Sequence, residues 1–441
     1  APRPALPAGC PDGQLRRTSP LEARDAGGRS RPADFRYPRR MHDPYGLFAL
    51  ENRDDPYPVL ARLRAEAPVY WAEGQAGAWT VTRYVDVAAG FRDARLSASR
   101  AEAMAKRLPP EAREWLSPIV TNLANWVLLR DPPDHTRLRG LIGQAFTPRL
   151  IEAWRPRIRQ ILDELLAELE PGDVELMQAL AAPLPILVIG DMLGLPAADR
   201  HRLKTCSDAI AAFFGAAQLG QPLLAGARAA ILELEDYFRR ALAERRASPR
   251  DDLLSALVAA EEQGSVLSEQ ELLSTCTAVL FGGHETTTNL IANAVLTLLN
   301  HPDQLARLRA EPGLLNSCIE EVLRFESPVS RMGRVAKVDF EWHGQQLRAG
   351  DRVFLSLAAA NRDDAQFPAA DVFDIARADN RHLALSTGPH YCVGAALGRL
   401  EARLALEALL ARFPRWELLE RPKWLDNLTV RGPQSLRLAL A

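Results

Sequence analysis

One cysteine near the C-terminus stands in a setting that most cysteines lack. The run Gly388-Pro389-His390-Tyr391-Cys392-Val393-Gly394 leads a loop into Cys392, and an amphipathic pattern then runs from Ala395 toward Phe413 with no proline and no glycine beyond Gly398. The sulfur is therefore expected at or near a helix N-terminus, where backbone N–H groups stabilise negative charge and favour thiolate over thiol. A thiolate so held, with a histidine two residues earlier, suits axial ligation of haem iron, which pushes electron density onto the metal and favours O–O cleavage. Two other readings stand beside this one. A lone cysteine is often a small buried hydrophobe, and Cys392 with His390 is also the pair of a thiol hydrolase.

A second constellation lies upstream, in Phe281-Gly282-Gly283-His284-Glu285-Thr286-Thr287-Thr288-Asn289, inside a helical pattern covering 268–300. Two glycines in a helix interior cost roughly 1 kcal/mol each relative to alanine. A helix weakened in this way either lets a flat object, water or O₂ approach its backbone, or packs tightly on another helix. On the first reading Glu285 and Thr286 supply an acid and a hydroxyl for proton delivery; on the second Glu285 is simply solvated. Glu321 and Arg324 stand three apart on one helix face, the spacing of an ion pair. His135 and Arg139 stand four apart after Asp131-Pro132-Pro133, and with Arg334 and His390 they could form a cationic set for two carboxylates.

The composition bounds the rest. The chain has 441 residues, 47% hydrophobic and 25% charged, enough for a large core. A net charge of -2 gives no sign of nucleic acid or an anionic membrane as partner. The five cysteines (Cys10, Cys206, Cys276, Cys318 and Cys392) are scattered, odd in number and without a C-x-x-C pair, which argues against a disulfide framework or zinc site and points to a reducing cytoplasm. No apolar run is long enough for a membrane span.

The elements that must position these residues follow from periodicity and breakers. Residues 1–40 are rich in Arg, Pro and Gly and read as a disordered or appended extension, with Met41 opening a single folded domain over 41–441. A helix is expected through about Glu66, then a hairpin of Val69–Trp71 and Ala78–Thr82. Residues 99–127, with Pro109, Pro110 and Pro118, read as an irregular functional loop. Helices are expected at about 150–170, 175–192, 198–215, 222–245, 251–262, 268–300 and 315–325. Short strands are expected at 334–336, 340–342 and 352–356, then an irregular meander over 361–389. The fold class is mainly α with a small β part.

Taken in order, the runs D-P-P-D-H-T-R-L-R, F-G-G-H-E-T-T-T, E-V-L-R, F-D-I-A-R and G-P-H-Y-C-V-G resemble those of the cytochrome P-450 family, the haem-thiolate monooxygenases, of the soluble bacterial type. The resemblance covers about Asp43 to the end and implies the cytochrome P-450 fold, with haem b between the 268–300 and 392–411 helices. It implies Cys392 as iron ligand, Gly388 and Gly394 as glycines of the ligand loop, and His135, Arg139, Arg334 and His390 as partners of the haem propionates, with Gly282 against the haem. Thr286 matches the threonine that hydrogen-bonds oxygen and Glu285 its acid neighbour, while His284 is expected to pack. Glu321, Arg324 and Arg377 match a structural triad under the meander. The substrate pocket is expected to draw on the 99–127 segment, Phe213, Phe214, Ala278, Phe281, Gly282, Val329, Ser330, Met332 and Leu428–Val430.

The reaction implied is insertion of one atom of O₂ into an apolar organic molecule, with electrons from NAD(P)H through a separate ferredoxin or flavodoxin and its reductase. A peroxide-using enzyme or a non-catalytic haem-thiolate binder are the alternatives. A cytoplasmic monomer without nucleic-acid or membrane partners is expected. The chain departs from the family at Leu385 and Ser386, where Phe and Gly are usual.

Overall fold

The long helix Glu269–Asn300 is the axis on which the molecule is built. Its 32 residues extend about 48 Å at 1.5 Å per residue. Its start is fixed by a capping box: Ser268 Oγ accepts from the Glu271 amide at 3.2 Å, and Glu271 Oε2 accepts from the Ser268 amide at 2.9 Å. Beyond the first turn it is buried on nearly every side, as a helix in the middle of a large core must be, and most of its buried positions are apolar. Helices Pro183–Met192, Arg200–Gly215, Leu315–Phe325 and Ala395–Arg412 pack on it. The computed structural model describes residues 43–441 apart from 48, 50–51, 74–76, 107–108, 217–219 and 263–266. The expectations for residues 1–40, Cys10, Met41, the hairpin tip and the break at Gly264-Ser265 lie outside the described residues.

The β part is small and serves as a side wall. A five-stranded sheet runs in the order Val69–Ala72, Ala78–Val81, Arg352–Ser356, Arg331–Ala336, Leu96–Ser97. The hairpin is antiparallel, Trp79 pairs with Val353 in parallel, and Arg334 pairs with Val353 in antiparallel register. Two elements of this wall were not expected from sequence, the strand Leu96–Ser97 and the partner strand Gln345–Leu347 of Phe340–Trp342. Nor was a three-stranded sheet in which Arg437–Leu440 lies between Gly172–Glu175 and Trp416–Leu418.

The expected irregular loop over 99–127 is a correction. It holds two helices, Arg100–Lys106 and Pro110–Ala124. Pro110 stands in the first turn, where a missing N–H costs nothing, and Pro118 is accommodated inside the helix. The buried residues Ala112, Leu116, Ile119 and Leu123 keep helical spacing, and that periodicity outweighs the prolines. Helix Pro302–Ala310 was likewise not expected. From Asn361 to Thr387 the chain has neither helix nor strand, as expected, and this stretch ends in the cysteine loop. No helix among the described residues is long and apolar enough to cross a membrane.

Candidate active site

The cysteine loop is closed by its own backbone. The Cys392 amide donates to the Leu385 carbonyl at 2.9 Å and the Ser386 amide to the Leu383 carbonyl at 2.8 Å. Two left-handed residues make the turn, Ser386 at φ +64° and Gly388 at φ +70°. Gly388 also lies against Arg92, whose Cγ would stand 3.0 Å from a Cβ placed there. The helix begins at Ala395, three residues after the cysteine. Burial pushes the Cys392 thiol up, against the opposing pull of the Gly394 amide, Arg139 and Arg399. Desolvation here outweighs the pull of the backbone N–H groups that was expected to favour the thiolate.

Across a cavity from the sulfur runs the notched segment of the long helix, and its two glycines do different things. Gly283 packs on helix Pro183–Met192, where a Cβ would meet Ile189 Cγ1 at 2.8 Å. Gly282 faces the cavity, with nothing within 4 Å of a Cβ position. The helix stays regular through this run, so the ladder does not open as expected. The Thr286 hydroxyl instead donates to the Gly282 carbonyl at 3.0 Å, doubling its hydrogen bonding. Thr286 lines the cavity but Glu285 does not. Glu285 accepts from Asn289 Nδ2 at 3.3 Å and lies with Asp208 and His284 in a cluster whose polar atoms are within 4.8 Å of one another. Burial, reinforced by Asp208, pushes the Glu285 carboxyl up to about 7. His284 is buried against Ser207, 3.4 Å from its hydroxyl, and burial pushes it down to about 3, as a packing residue requires.

The cavity edge next to the cysteine loop is cationic. The rings of His135 and His390 lie 4.2 Å apart, and both line the cavity with Arg139 and Gly394. Arg334 and Gly388 do not reach the wall. Arg334 is buried behind it, bonded to the Gly333 carbonyl at 2.9 Å with its second terminal nitrogen unpartnered. Burial, then the charges of Arg334 and His135, push His390 down to about 3. Burial brings Arg334 down to about 10. Asp131 is the acid of this region, but its oxygens already accept from Ser97 Oγ at 2.5 Å and the Ala98 amide at 2.8 Å. Two arginines short of anions, Arg139 and Arg334, with two histidines beside them, a half-buried thiol and a helix face that Gly282 leaves open fit a haem, whose iron Cys392 would hold and whose propionates this rim would answer.

The remaining walls are apolar. The cavity offers about 1690 Å³, including its mouth. Phe214 stacks on Trp126 at 5.5 Å and lies 5.5 Å from Phe281, and Ala278, Val329, Met332, Thr429 and Val430 complete this side. Phe213 and Ser330 do not line it. Phe213 is turned behind Phe214, edge to face at 6.4 Å, and is buried in the core. The Ser330 backbone is taken up by Thr429 and Ala358 at 2.8 and 3.0 Å. Sequence reasoning did not single out Trp126, fully buried with its indole bonded to Asn122 at 2.9 Å, or Arg100, which also lines the cavity.

Under the loop sits the triad. Arg324 binds both oxygens of Glu321 at 2.8 and 2.7 Å, and Arg377 Nε lies 3.2 Å from each. Asn380 and the Asp374 amide add bonds of 2.9 and 3.0 Å to the same carboxylate. The two arginines pass these contacts to the meander carbonyls of Asn361, Ala370 and Val372, and of Pro368 and Ala369.

Comparison with known proteins agrees with this geometry. The sequence profile described as Cytochrome P450 matches residues 218–436. The polyketide biosynthesis cytochrome P450 PksS of Bacillus subtilis is 36% identical over 411 residues, 91% of this chain and 99% of PksS. The cytochrome P450 monooxygenase PikC of Streptomyces venezuelae is 40% identical over 89% of this chain and 92% of PikC. Among solved structures, P450BioI bound to an acyl carrier protein carrying hexadec-9Z-enoic acid superposes with a TM-score of 0.83 at 34% identity, covering 89% of this chain and all of that one. The half-buried cysteine loop, the notched helix above it and relatives aligned over nine-tenths of the chain make this protein a member of the cytochrome P450 family, a haem-thiolate monooxygenase.

Proposed function

We propose that Cys392 holds the iron, that His135, Arg139, His390 and the buried Arg334 answer the propionates, and that Gly282 lets the haem lie close to the long helix. The observation that carries this reading is the facing of Cys392 and Thr286 across one cavity with a cationic rim. Haem bound there supplies the activation of O₂ and delivery of one oxygen atom to a substrate C–H or C=C group. The protein's own part is placement and protons. Thr286 Oγ1, whose own proton is given to the Gly282 carbonyl at 3.0 Å, offers its lone pairs at the cavity face of the helix and would pass a proton on by accepting one there. Glu285, whose carboxyl burial and Asp208 push up to about 7, suits a group that gives and regains protons near neutral pH. Asp208, ion-paired to Lys204 at 2.6 Å and partly exposed, lies beside Glu285 on the solvent side.

The apolar walls favour a sizeable apolar substrate of polyketide or fatty-acyl type in secondary metabolism, in keeping with what PksS is named for and with the acyl chain bound to P450BioI. Electrons come from NAD(P)H through a separate ferredoxin or flavodoxin and its reductase on this reading. Residues 41–441 are the catalytic unit, acting as a cytoplasmic monomer, with 1–40 dispensable.

Reconstitution with a ferredoxin, its reductase and NADPH tests the proton roles. Thr286→Ala is expected to keep consuming NADPH and O₂ while peroxide rises and product per NADPH falls about tenfold or more. Unchanged coupling would remove Thr286 from the relay.

A further inference from the structure

Arg100 opens the helix Arg100–Lys106 and lines the same cavity as Cys392 and Thr286. Its guanidinium has no hydrogen-bond or ion-pair partner among the described residues, and no carboxylate acts on it; the charge nearest in effect is another cation, Arg334. Arg245, Arg324 and Arg431 are each answered by a carboxylate, Asp252, Glu321 and Glu326, whereas Arg100 has beside it only Arg334, a second cation without an ion pair among the described residues. Arg100 is half-buried at the cavity wall, and a cation left unanswered there becomes costly once an apolar ligand displaces the water beside it.

The position of Arg100 is nonetheless prepared. Strand Arg331–Ala336 has a glycine where the guanidinium crosses it: a Cβ on Gly333 would stand 2.2 Å from Arg100 Nη1. The other side of the guanidinium faces Phe214, 5.6 Å from the ring centroid, on the aromatic wall that leads through Phe281 toward Thr286. Arg139 and Arg334 already match the two propionates in charge, and Asp131 is committed to Ser97 and Ala98.

We infer that Arg100 is the anchor for a carboxylate on the substrate, so that the pocket takes an amphipathic acid whose apolar body lies along Phe214 and Phe281 with its oxidisable end toward Thr286. This rests on the monooxygenase reading and narrows its substrate class. A charge-assisted, bidentate contact in a desolvated site discriminates strongly between a carboxylate and its neutral isostere.

The test uses the haem-loaded enzyme and two matched ligand series, straight-chain carboxylic acids of increasing length and their primary amides, followed by the substrate-induced Soret shift and by calorimetry. In the wild type the best acid is expected to bind about tenfold or more tighter than its amide. Arg100→Gln should abolish that preference with amide affinity nearly unchanged, and Arg100→Lys should restore part of it. No acid binding better than its amide in the wild type overturns the inference without recourse to any variant. So does an Arg100→Gln enzyme that keeps the acid preference, above all if its haem potential moves or haem is lost, since Arg100 would then serve a propionate. The carbon monoxide spectrum of the same samples reports the haem-thiolate centre separately, so failure of the anchor is distinguishable from failure of the site.

Discussion

The Cys392 amide donates to the Leu385 carbonyl at 2.9 Å, so the loop that presents the sulfur is closed across seven residues by a backbone bond that no side-chain change at either end removes. The closure forces Ser386 to φ +64°. An L-residue in the left-handed region costs about 1–2 kcal/mol, and the Ser386 hydroxyl offsets little of it, with its one contact at 3.5 Å to the Thr387 carbonyl.

Ser386→Gly is therefore expected to stabilise the folded protein by about 0.5–1 kcal/mol, the relief of strain less the extra entropy of glycine in the unfolded chain. Denaturant unfolding of the two proteins measures this. A less stable variant would mean that the hydroxyl holds the loop more firmly than its geometry indicates.

Glu285 gives a pH dependence with a definite sign. Its carboxyl is raised from its ordinary value of 4.5 to about 7 by burial and Asp208, so the folded state holds a proton that the unfolded chain releases. The stabilisation is full below about pH 4.5 and lost as pH rises through about 7. Wild type should lose stability relative to Glu285→Gln between pH 5 and pH 8, and product per NADPH should fall over the same limb in wild type alone. Parallel profiles for the two proteins would contradict this.

Glu321 carries six polar contacts from Arg324, Arg377, Asn380 and the Asp374 amide with its side chain fully buried. Glu321→Gln leaves Arg324 uncompensated in the core. A loss of about 3–5 kcal/mol is expected, the usual size for one partner of a buried pair, with most of the haem lost on purification. Near-wild-type stability and full haem content would show that the meander does not depend on this carboxylate.

Much of the site was legible because its chemistry is local in sequence. Cys392 and its loop, or Gly282 and Thr286 one helical turn apart, are fixed by a few neighbouring residues. The misreadings come from direction and from tertiary meeting. Phe213 and Phe214 are adjacent and equally apolar, and the helix rotates about 100° between them, so composition cannot say which one meets the cavity. Glu285 and Thr286 diverge for the same reason. Arg100, Gly333 and Arg334 meet only because strand Arg331–Ala336 runs beside a segment more than two hundred residues earlier. The 99–127 segment was misread for another reason, because its prolines were weighted above the spacing of Ala112, Leu116, Ile119 and Leu123.

The carbon monoxide difference spectrum of the reduced protein and of Cys392→Ser tests the central claim most directly. Wild type should show the red-shifted Soret band of thiolate-ligated haem, and the serine variant should lose it while the apoprotein remains folded. A variant that keeps the band would show that another residue binds the iron, and the site built around Cys392 would be wrong.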